Sequence, residues 1–277
     1  MDINAILLAL GVLGALGIIF GVVLGVADKK FAVKTDPRVE AIRACLGGAN
    51  CGACGYAGCD AFAEAVVAGG AKPNGCPPGG DKASKAIGEI MGISVESGSA
   101  SVGRVLCLGT DGVSKERYEY DGIRSCRAAA GLAGGPKMCM NACLGLGDCI
   151  DKCVFGAISI KDGVAYIDPK LCKGCGACIK YCPRNAIALM PADESVVVSC
   201  RNTDVGRAAV QSCMKACIAC KRCEKECKYG AIRVEGGYAR IDNDKCTRCA
   251  QCAKVCPRGC ITTVSYTHLT LPTNSLV

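Results

Sequence analysis

Eight cysteines recur without a gap at a shift of 74 residues: Cys139, Cys143, Cys149, Cys153, Cys172, Cys175, Cys178 and Cys182 fall on Cys213, Cys217, Cys223, Cys227, Cys246, Cys249, Cys252 and Cys256. So many fixed positions require one supersecondary unit built twice. Each copy holds a run such as Cys172-Lys-Gly-Cys175-Gly-Ala-Cys178-Ile-Lys-Tyr-Cys182-Pro183, with spacing C-x2-C-x2-C-x3-C-P. That spacing presents three thiolates to one cubane iron–sulfur cluster and sends the fourth to a neighbouring cluster. Zinc sites instead pair two C-x2-C halves across a longer loop.

The residues between the cysteine groups agree as well. Gly156-Ala-Ile matches Gly230-Ala-Ile, and Ala165-Tyr-Ile-Asp matches Ala239-Arg-Ile-Asp. Each copy carries a hairpin pattern, Ile158 to Ile160 and Ala165 to Ile167 around Asp162-Gly163, with Gly236-Gly237 as the second turn. Asp-Gly and Gly-Gly are favoured in tight hairpins. The layout is that of a two-cluster bacterial ferredoxin, present in tandem.

Ligand swapping between paired clusters then predicts the sites. Cys217, Cys220 and Cys223 take Cys256. Cys246, Cys249 and Cys252 take Cys227, and Cys172, Cys175 and Cys178 take Cys153. The first copy has Leu146 where Cys220 would fall, so its other cluster needs a ligand from elsewhere. Cys139, close before Cys143, is the nearest, giving Cys139, Cys143, Cys149 and Cys182. Upstream, Cys51, Cys54, Cys59 and Cys76 form a fifth set around a short helix. Five [4Fe-4S] clusters are therefore expected. Cys107, Cys126, Cys200 and Cys213 are a further four-thiolate set that would make six. Cys107 and Cys200 share similar contexts, but the strict shift pairs Cys126 with Cys200. Cys45 and Cys260 fall outside every set.

Composition fits a metal-stapled chain. Twenty-six cysteines stand beside four Phe, eight Tyr and no Trp, and small modules short of large apolar side chains rely on cross-links or metal. The formal charge of +8 counts thiols as neutral. Five clusters at about −2 each would bring it near −2, so the basic balance does not call for nucleic acid. No dinucleotide fingerprint or phosphate loop is present, and the one histidine, His268, lies in the tail. The chain is read as moving single electrons and leaving other chemistry to other subunits.

No charged residue lies between Asp2 and Asp28. The run is long enough to span a bilayer and lacks the basic leader of a signal peptide. Lys29, Lys30 and Lys34 follow it, which by the positive-inside rule puts the rest of the chain in the cytoplasm. Gly17, Gly21 and Gly25 would let another helix approach closely. The expected fold class is α+β: a transmembrane helix (1–28), a four-cysteine helical domain (36–93), a linker and strand segment (94–138), a first ferredoxin unit (139–190), a linking segment (191–212), a second unit (213–263) and an unstructured, non-native-looking tail (264–277).

These residues together resemble the RnfB family, the multi-cluster iron–sulfur component of the Rnf complex. The segment FGVVLGVADKKFAVKTDPRVEAI after the apolar helix, NCGACGYAGC and CPPGG carry the likeness. The doubled unit is similar to the longer clostridial type. Val154 stands where a Pro usually follows the cysteine. The resemblance implies an electron-transfer subunit of a membrane-bound, ion-translocating ferredoxin:NAD+ oxidoreductase, in the cell membrane. It would take electrons from soluble ferredoxin and pass them to the other Rnf subunits. Two readings compete: a polyferredoxin subunit of a hydrogenase or dehydrogenase complex, and a zinc scaffold or nucleic-acid protein. Charge suggests where a ferredoxin would dock. Residues 213–260 hold eleven Lys/Arg against five Asp/Glu, and 139–186 hold six against four. Lys221, Arg222, Lys225 and Lys228 crowd one predicted cluster, where an acidic protein could be steered.

Overall fold

The computed structural model describes residues 3–31, 36–95 and 100–263. The tail 264–277 and Lys34 lie outside the described residues. Helix α1 (Ile3–Phe31) runs 29 residues. At 1.5 Å per residue it exceeds the roughly 30 Å hydrocarbon core of a bilayer. Its stretch Leu10–Ala27 has a mean hydropathy of 2.5, and none of it is buried. Leu13, Ile18, Phe20 and Leu24 are fully on show, a surface that demands lipid or a partner helix. A Cβ built at Gly17, Gly21 or Gly25 would meet nothing.

A three-helix domain follows. Asp36 caps α2 (Pro37–Cys45), its carboxylate accepting the Arg38 N–H at 2.9 Å, with proline in the first turn. That placement suits proline, which lacks the N–H a first turn leaves free. Helices α3 (Cys59–Val67) and α4 (Gly80–Met91) pack on it. Ile42, Phe62 and Ile87 form their buried core.

The remainder is built from short strands and helices. In the first unit β1 (Ser101–Val105) precedes α5 (Cys126–Gly131) and α6 (Asp148–Asp151). The hairpin β2 (Ile158–Lys161) and β3 (Val164–Ile167), then α7 (Ala177–Tyr181) and β4 (Ile187–Pro191), complete it. In the second unit β5 (Val196–Val198) and α8 (Gly206–Ser212) lead to α9 (Arg222–Glu226). The hairpin β6 (Ile232–Glu235) and β7 (Tyr238–Ile241) follows, then α10 (Gln251–Lys254) and β8 (Ile261–Thr263). The described strands pair antiparallel as β1–β4, β2–β3, β5–β8 and β6–β7. The hairpin registers repeat: Ile158 faces Ile167, and Ile232 faces Ile241. The α+β architecture is as the sequence led one to expect.

Two-stranded sheets are marginal on their own. Here each pair rests on a core made partly of thiols. Cys143, Cys149 and Cys178 pack with Ile158, Ile167 and Ile187, and Cys217, Cys223 and Cys260 with Val196, Ile232 and Ile261.

The outer sheets reset the repeat. Val105 faces Ile187 and Val198 faces Ile261, so β5 is the counterpart of β1 and Cys200 the counterpart of Cys107. Thirty-two residues then separate Cys107 from Cys139, against 13 from Cys200 to Cys213. The first unit therefore carries a 19-residue insertion relative to the second, and Cys126 lies in it. The gapless shift does not extend upstream of Cys139, and the Cys126–Cys200 pairing it suggested is an artefact of that insertion.

Candidate iron–sulfur sites

The cysteine loops share one backbone device. The residues either side of the middle position are left-handed: Gly174 (φ 65°) and Gly176 (72°) around Cys175, and Arg248 (59°) and Ala250 (58°) around Cys249. Ala219 (55°) and Lys221 (57°) flank Cys220, and Gly145 (70°) and Gly147 (96°) flank Leu146. Successive N–H groups turned inward this way make a concavity that suits an anion. Where the position is not glycine, such a conformation costs about 1–3 kcal/mol, which the second unit bears four times in these two loops.

Four of the five expected ligand sets have their thiols together. Cys76 feels the charge of Cys51, Cys54 and Cys59. Cys178 is grouped with Cys172, Cys175 and Cys153, and burial pushes it up to about 11. Cys223, pushed up to about 12 by burial, lies with Cys217, Cys220 and Cys256. Cys252 lies with Cys246, Cys249 and Cys227. Backbone N–H groups point at the sulfurs: Gly103 at Cys172 (3.3 Å), Ala157 at Cys153, Ala165 at Cys143 and Ala186 at Cys182 (each 3.4 Å). Such hydrogen bonds stabilise thiolate and tune an iron–sulfur centre.

The remaining set needs a correction. Cys139 does not join Cys143, Cys149 and Cys182. Cys126 does: burial pushes Cys149 up to about 12, and its neighbours are Cys143, Cys126 and Cys182. All four line one void. The insertion delivers this thiol on the first residue of α5. Ser125 caps that helix and donates to Asp148 Oδ2 at 3.0 Å, while the N–H groups of Cys126 and Arg127 donate to the same carboxylate at 2.9 Å each. Burial opposes the charge on Asp148, but these donors outweigh it and hold the carboxyl below its usual range. Cys126 packs against Leu144 and Leu146, so the insertion both supplies the thiol missing at Leu146 and covers the site.

Cys139 is displaced to a different group, beside Cys107, Cys200 and Cys213. The four-thiolate set expected from Cys107, Cys126, Cys200 and Cys213 is thus assembled with Cys139 in place of Cys126.

Among the described residues, no three Cys, His, Asp or Glu side chains converge as a single metal ion requires. In three of the sets the thiols instead ring a void: Cys217, Cys220, Cys223 and Cys256; Cys227, Cys246, Cys249 and Cys252; and Cys126, Cys143, Cys149 and Cys182. Sulfurs spread around a void, with N–H groups aimed at them, suit a polynuclear cluster better than zinc.

Three of the sets adjoin one another: Cys51 acts electrostatically on Cys175, and Cys178 on Cys149. Exposure differs between the units. Cys220 and Cys249 in the second unit are exposed, whereas Cys126 and Cys178 in the first are buried. Cys260, which no ligand pattern uses, is 1% exposed and lies 3.5 Å from Cys256 Sγ. Hydrogen bonding with Cys260 holds Cys256 and Cys217 below the usual thiol range. The first unit has buried Ala186 at the equivalent place. Cys45 sits apart, bonded to the Ala41 carbonyl within α2.

Known proteins share parts of this layout. The Fe-S cluster family model matches residues 46–78, the 4Fe-4S binding domain 165–188 and the 4Fe-4S dicluster domain 216–260. Cys45, Cys107, Cys126, Cys139, Cys143, Cys149, Cys153, Cys200 and Cys213 lie outside all three spans. The B component of the Na(+)-translocating ferredoxin:NAD(+) oxidoreductase complex of Acetobacterium woodii is 46% identical over 94% of this chain and 78% of its own. The B component of the ion-translocating oxidoreductase complex of Methanosarcina acetivorans is 40% identical over 91% of this chain and 96% of its own. That of the proton-translocating ferredoxin:NAD(+) oxidoreductase complex of Clostridium ljungdahlii is 36% identical over 93% and 92%. With that identity along almost its whole length, and with the cysteine sets in place to receive clusters, the chain belongs to the RnfB family, the B components of ion-translocating oxidoreductase complexes.

Proposed function

We propose that this chain is the electron-input subunit of a membrane-bound, ion-translocating ferredoxin:NAD+ oxidoreductase. In this reading soluble ferredoxin is the donor and the other subunits of the complex are the acceptors. Five cysteine sets hold [4Fe-4S] clusters: Cys51, Cys54, Cys59 and Cys76; Cys126, Cys143, Cys149 and Cys182; Cys153, Cys172, Cys175 and Cys178; Cys217, Cys220, Cys223 and Cys256; and Cys227, Cys246, Cys249 and Cys252. When bound, these groups supply one-electron carriage at potentials set by burial and by hydrogen bonds to sulfur. The protein's part is to space the thiols, bury Cys126, Cys143, Cys149 and Cys178 in the first unit and leave Cys220 and Cys249 of the second exposed. Helix α1 tethers the chain to the membrane, and Lys29 and Lys30 at its end favour a cytoplasmic location for everything after it.

The observation that carries the direction of flow is the pairing of exposed ligands with basic charge. Lys221, Arg222, Lys225 and Lys228 are all exposed beside the exposed Cys220. An acidic ferredoxin steered there would meet the least shielded cluster edge. Changing Lys221 and Arg222 to Glu should slow reduction by ferredoxin about tenfold or more at low salt, with the difference shrinking as salt screens it. Stopped-flow traces with reduced ferredoxin measure this, and equal rates at low salt would remove the docking site.

Cys260 sets a second expectation. Its Sγ lies 3.5 Å from Cys256 Sγ, and a hydrogen bond given to that ligand favours the reduced, more negative state. Cys260→Ala, copying the first unit, should lower that cluster's midpoint potential. A tenfold loss in the reduction equilibrium corresponds to about 59 mV. A redox titration followed by EPR reads the shift, and an unmoved midpoint denies Cys260 a tuning role.

A further inference from the structure

We infer that Cys107, Cys139, Cys200 and Cys213 hold a sixth [4Fe-4S] cluster that bridges the two ferredoxin units. This rests on the cluster-relay reading above and adds a site that joins its halves.

The four thiols line one void, as those of three of the other sets do. Each unit contributes the same pair of residues. Cys107 and Cys200 each stand two residues past the equivalent strand positions, Val105 and Val198. Cys139 and Cys213 each stand four residues before the first ligand of the neighbouring set.

The backbone is built for sulfur anions here. Gly109 N–H donates to Cys107 Sγ, Asn202 N–H to Cys200 Sγ and Lys215 N–H to Cys213 Sγ, each at 3.4 Å. The Asn141 N–H does the same for Cys139. In every case the donor lies two residues past the cysteine. Two further donors come from the adjoining sites: Cys143 N–H to Cys107 Sγ at 3.4 Å and Cys217 N–H to Cys200 Sγ at 3.3 Å. Six N–H groups on four sulfurs are more than a cluster of structural thiols needs, and they follow the same local symmetry.

Charge agrees. Arg184 and Arg258, equivalent by the repeat, act electrostatically on Cys139 and Cys213 respectively. Arg258 Nη2 also bonds the Cys213 carbonyl at 3.0 Å. Both Nε atoms are buried without a hydrogen-bond partner among the described residues. Two guanidinium groups beside four thiolates, that of Arg184 buried and that of Arg258 half-buried, offset the net negative charge of a cubane.

The seam between the units is held together by two main-chain bonds and one from a side-chain amide. Lys115 N–H donates to the Ser212 carbonyl at 3.0 Å, Met214 N–H to the Val113 carbonyl at 2.9 Å, and Asn141 Nδ2 to the Arg201 carbonyl at 2.6 Å. The site adjoins Cys143 on one side and Cys217 on the other, which makes it the link between the two units. An electron crossing it oxidises a second-unit cluster by one and reduces a first-unit cluster by one, with no proton or co-reactant involved.

The test is iron and acid-labile sulfide per folded full-length chain, with EPR spin counting after reduction. The wild type should hold about 24 irons in six clusters. Cys200→Ala with Cys213→Ala should lose about four irons and one spin, keeping the other signals. Reduced ferredoxin should then still reduce the second-unit clusters but no longer the Cys51–Cys76 cluster. A wild-type count near 20 irons overturns the sixth site while leaving the relay reading intact. So does an unchanged iron count in the variant, or zinc at the lost site. A chain without cubane signals at all overturns the relay reading itself. Should the double variant fail to fold, the wild-type count still decides.

Discussion

Cys126→Ala is expected to remove one cluster from the first ferredoxin unit, and adding Leu146→Cys to restore it. The reason lies in the backbone. Leu146 sits between two left-handed residues as Cys220 does, so a thiol placed there inherits the geometry the second unit already uses. The wild-type chain instead brings Cys126 from an insertion docked on Asp148 through three hydrogen bonds. Iron content should fall by about four per chain in Cys126→Ala, and return in the double variant. Cys139→Ala should leave this cluster's EPR signal in place. The reverse pattern, with Cys139→Ala erasing the signal and Cys126→Ala sparing it, would show that the ligands are grouped wrongly.

Removal of iron should unfold both ferredoxin units. Their sheets are two-stranded, and their cores count Cys143, Cys149 and Cys178 or Cys217, Cys223 and Cys260 among the buried residues. Structural zinc in zinc-finger peptides is worth about 10–16 kcal/mol, so metal at thiol sites can match the roughly 5–15 kcal/mol net stability of a whole domain. The strained Ala219, Lys221, Arg248 and Ala250 lose their compensation at the same time. Amide exchange after chelation under reducing, anaerobic conditions should find protection lost across Ile158–Ile167 and Ile232–Ile241, while the detergent-held α1 stays protected. Hairpins that keep native protection without iron would mean that apolar packing alone holds the units.

The sequence was legible where spacing and local conformation coincide. The hairpins, the three helices around Phe62 and four of the ligand sets follow from turn residues, apolar period and C-x2-C spacing. What misled was a long-range pairing. The gapless shift from Cys139 onward invited extension upstream, where a 19-residue insertion breaks it. Only the register of β1 on β4 and of β5 on β8 reveals that Cys107, not Cys126, is the partner of Cys200. The similar stretches around Cys107 and Cys200 carried that signal in the sequence. The role of Asp148 was not legible, because its partners lie more than 20 residues away. Strands β1 and β5 lie where apolar, strand-like runs precede Cys107 and Cys200, but runs of three to five residues do not show which strand they pair with.

The central claim is a continuous relay that begins at the exposed, basic second unit and ends at the membrane-tethered domain. Freeze-quench EPR of the full-length, cluster-loaded chain mixed with reduced ferredoxin tests it most directly. A Cys59→Ser variant identifies the N-terminal cluster's signal. The account predicts that signals from the second unit appear first and that of the Cys51–Cys76 cluster last. Reduction of the Cys51–Cys76 cluster before any cluster of the second unit would contradict it.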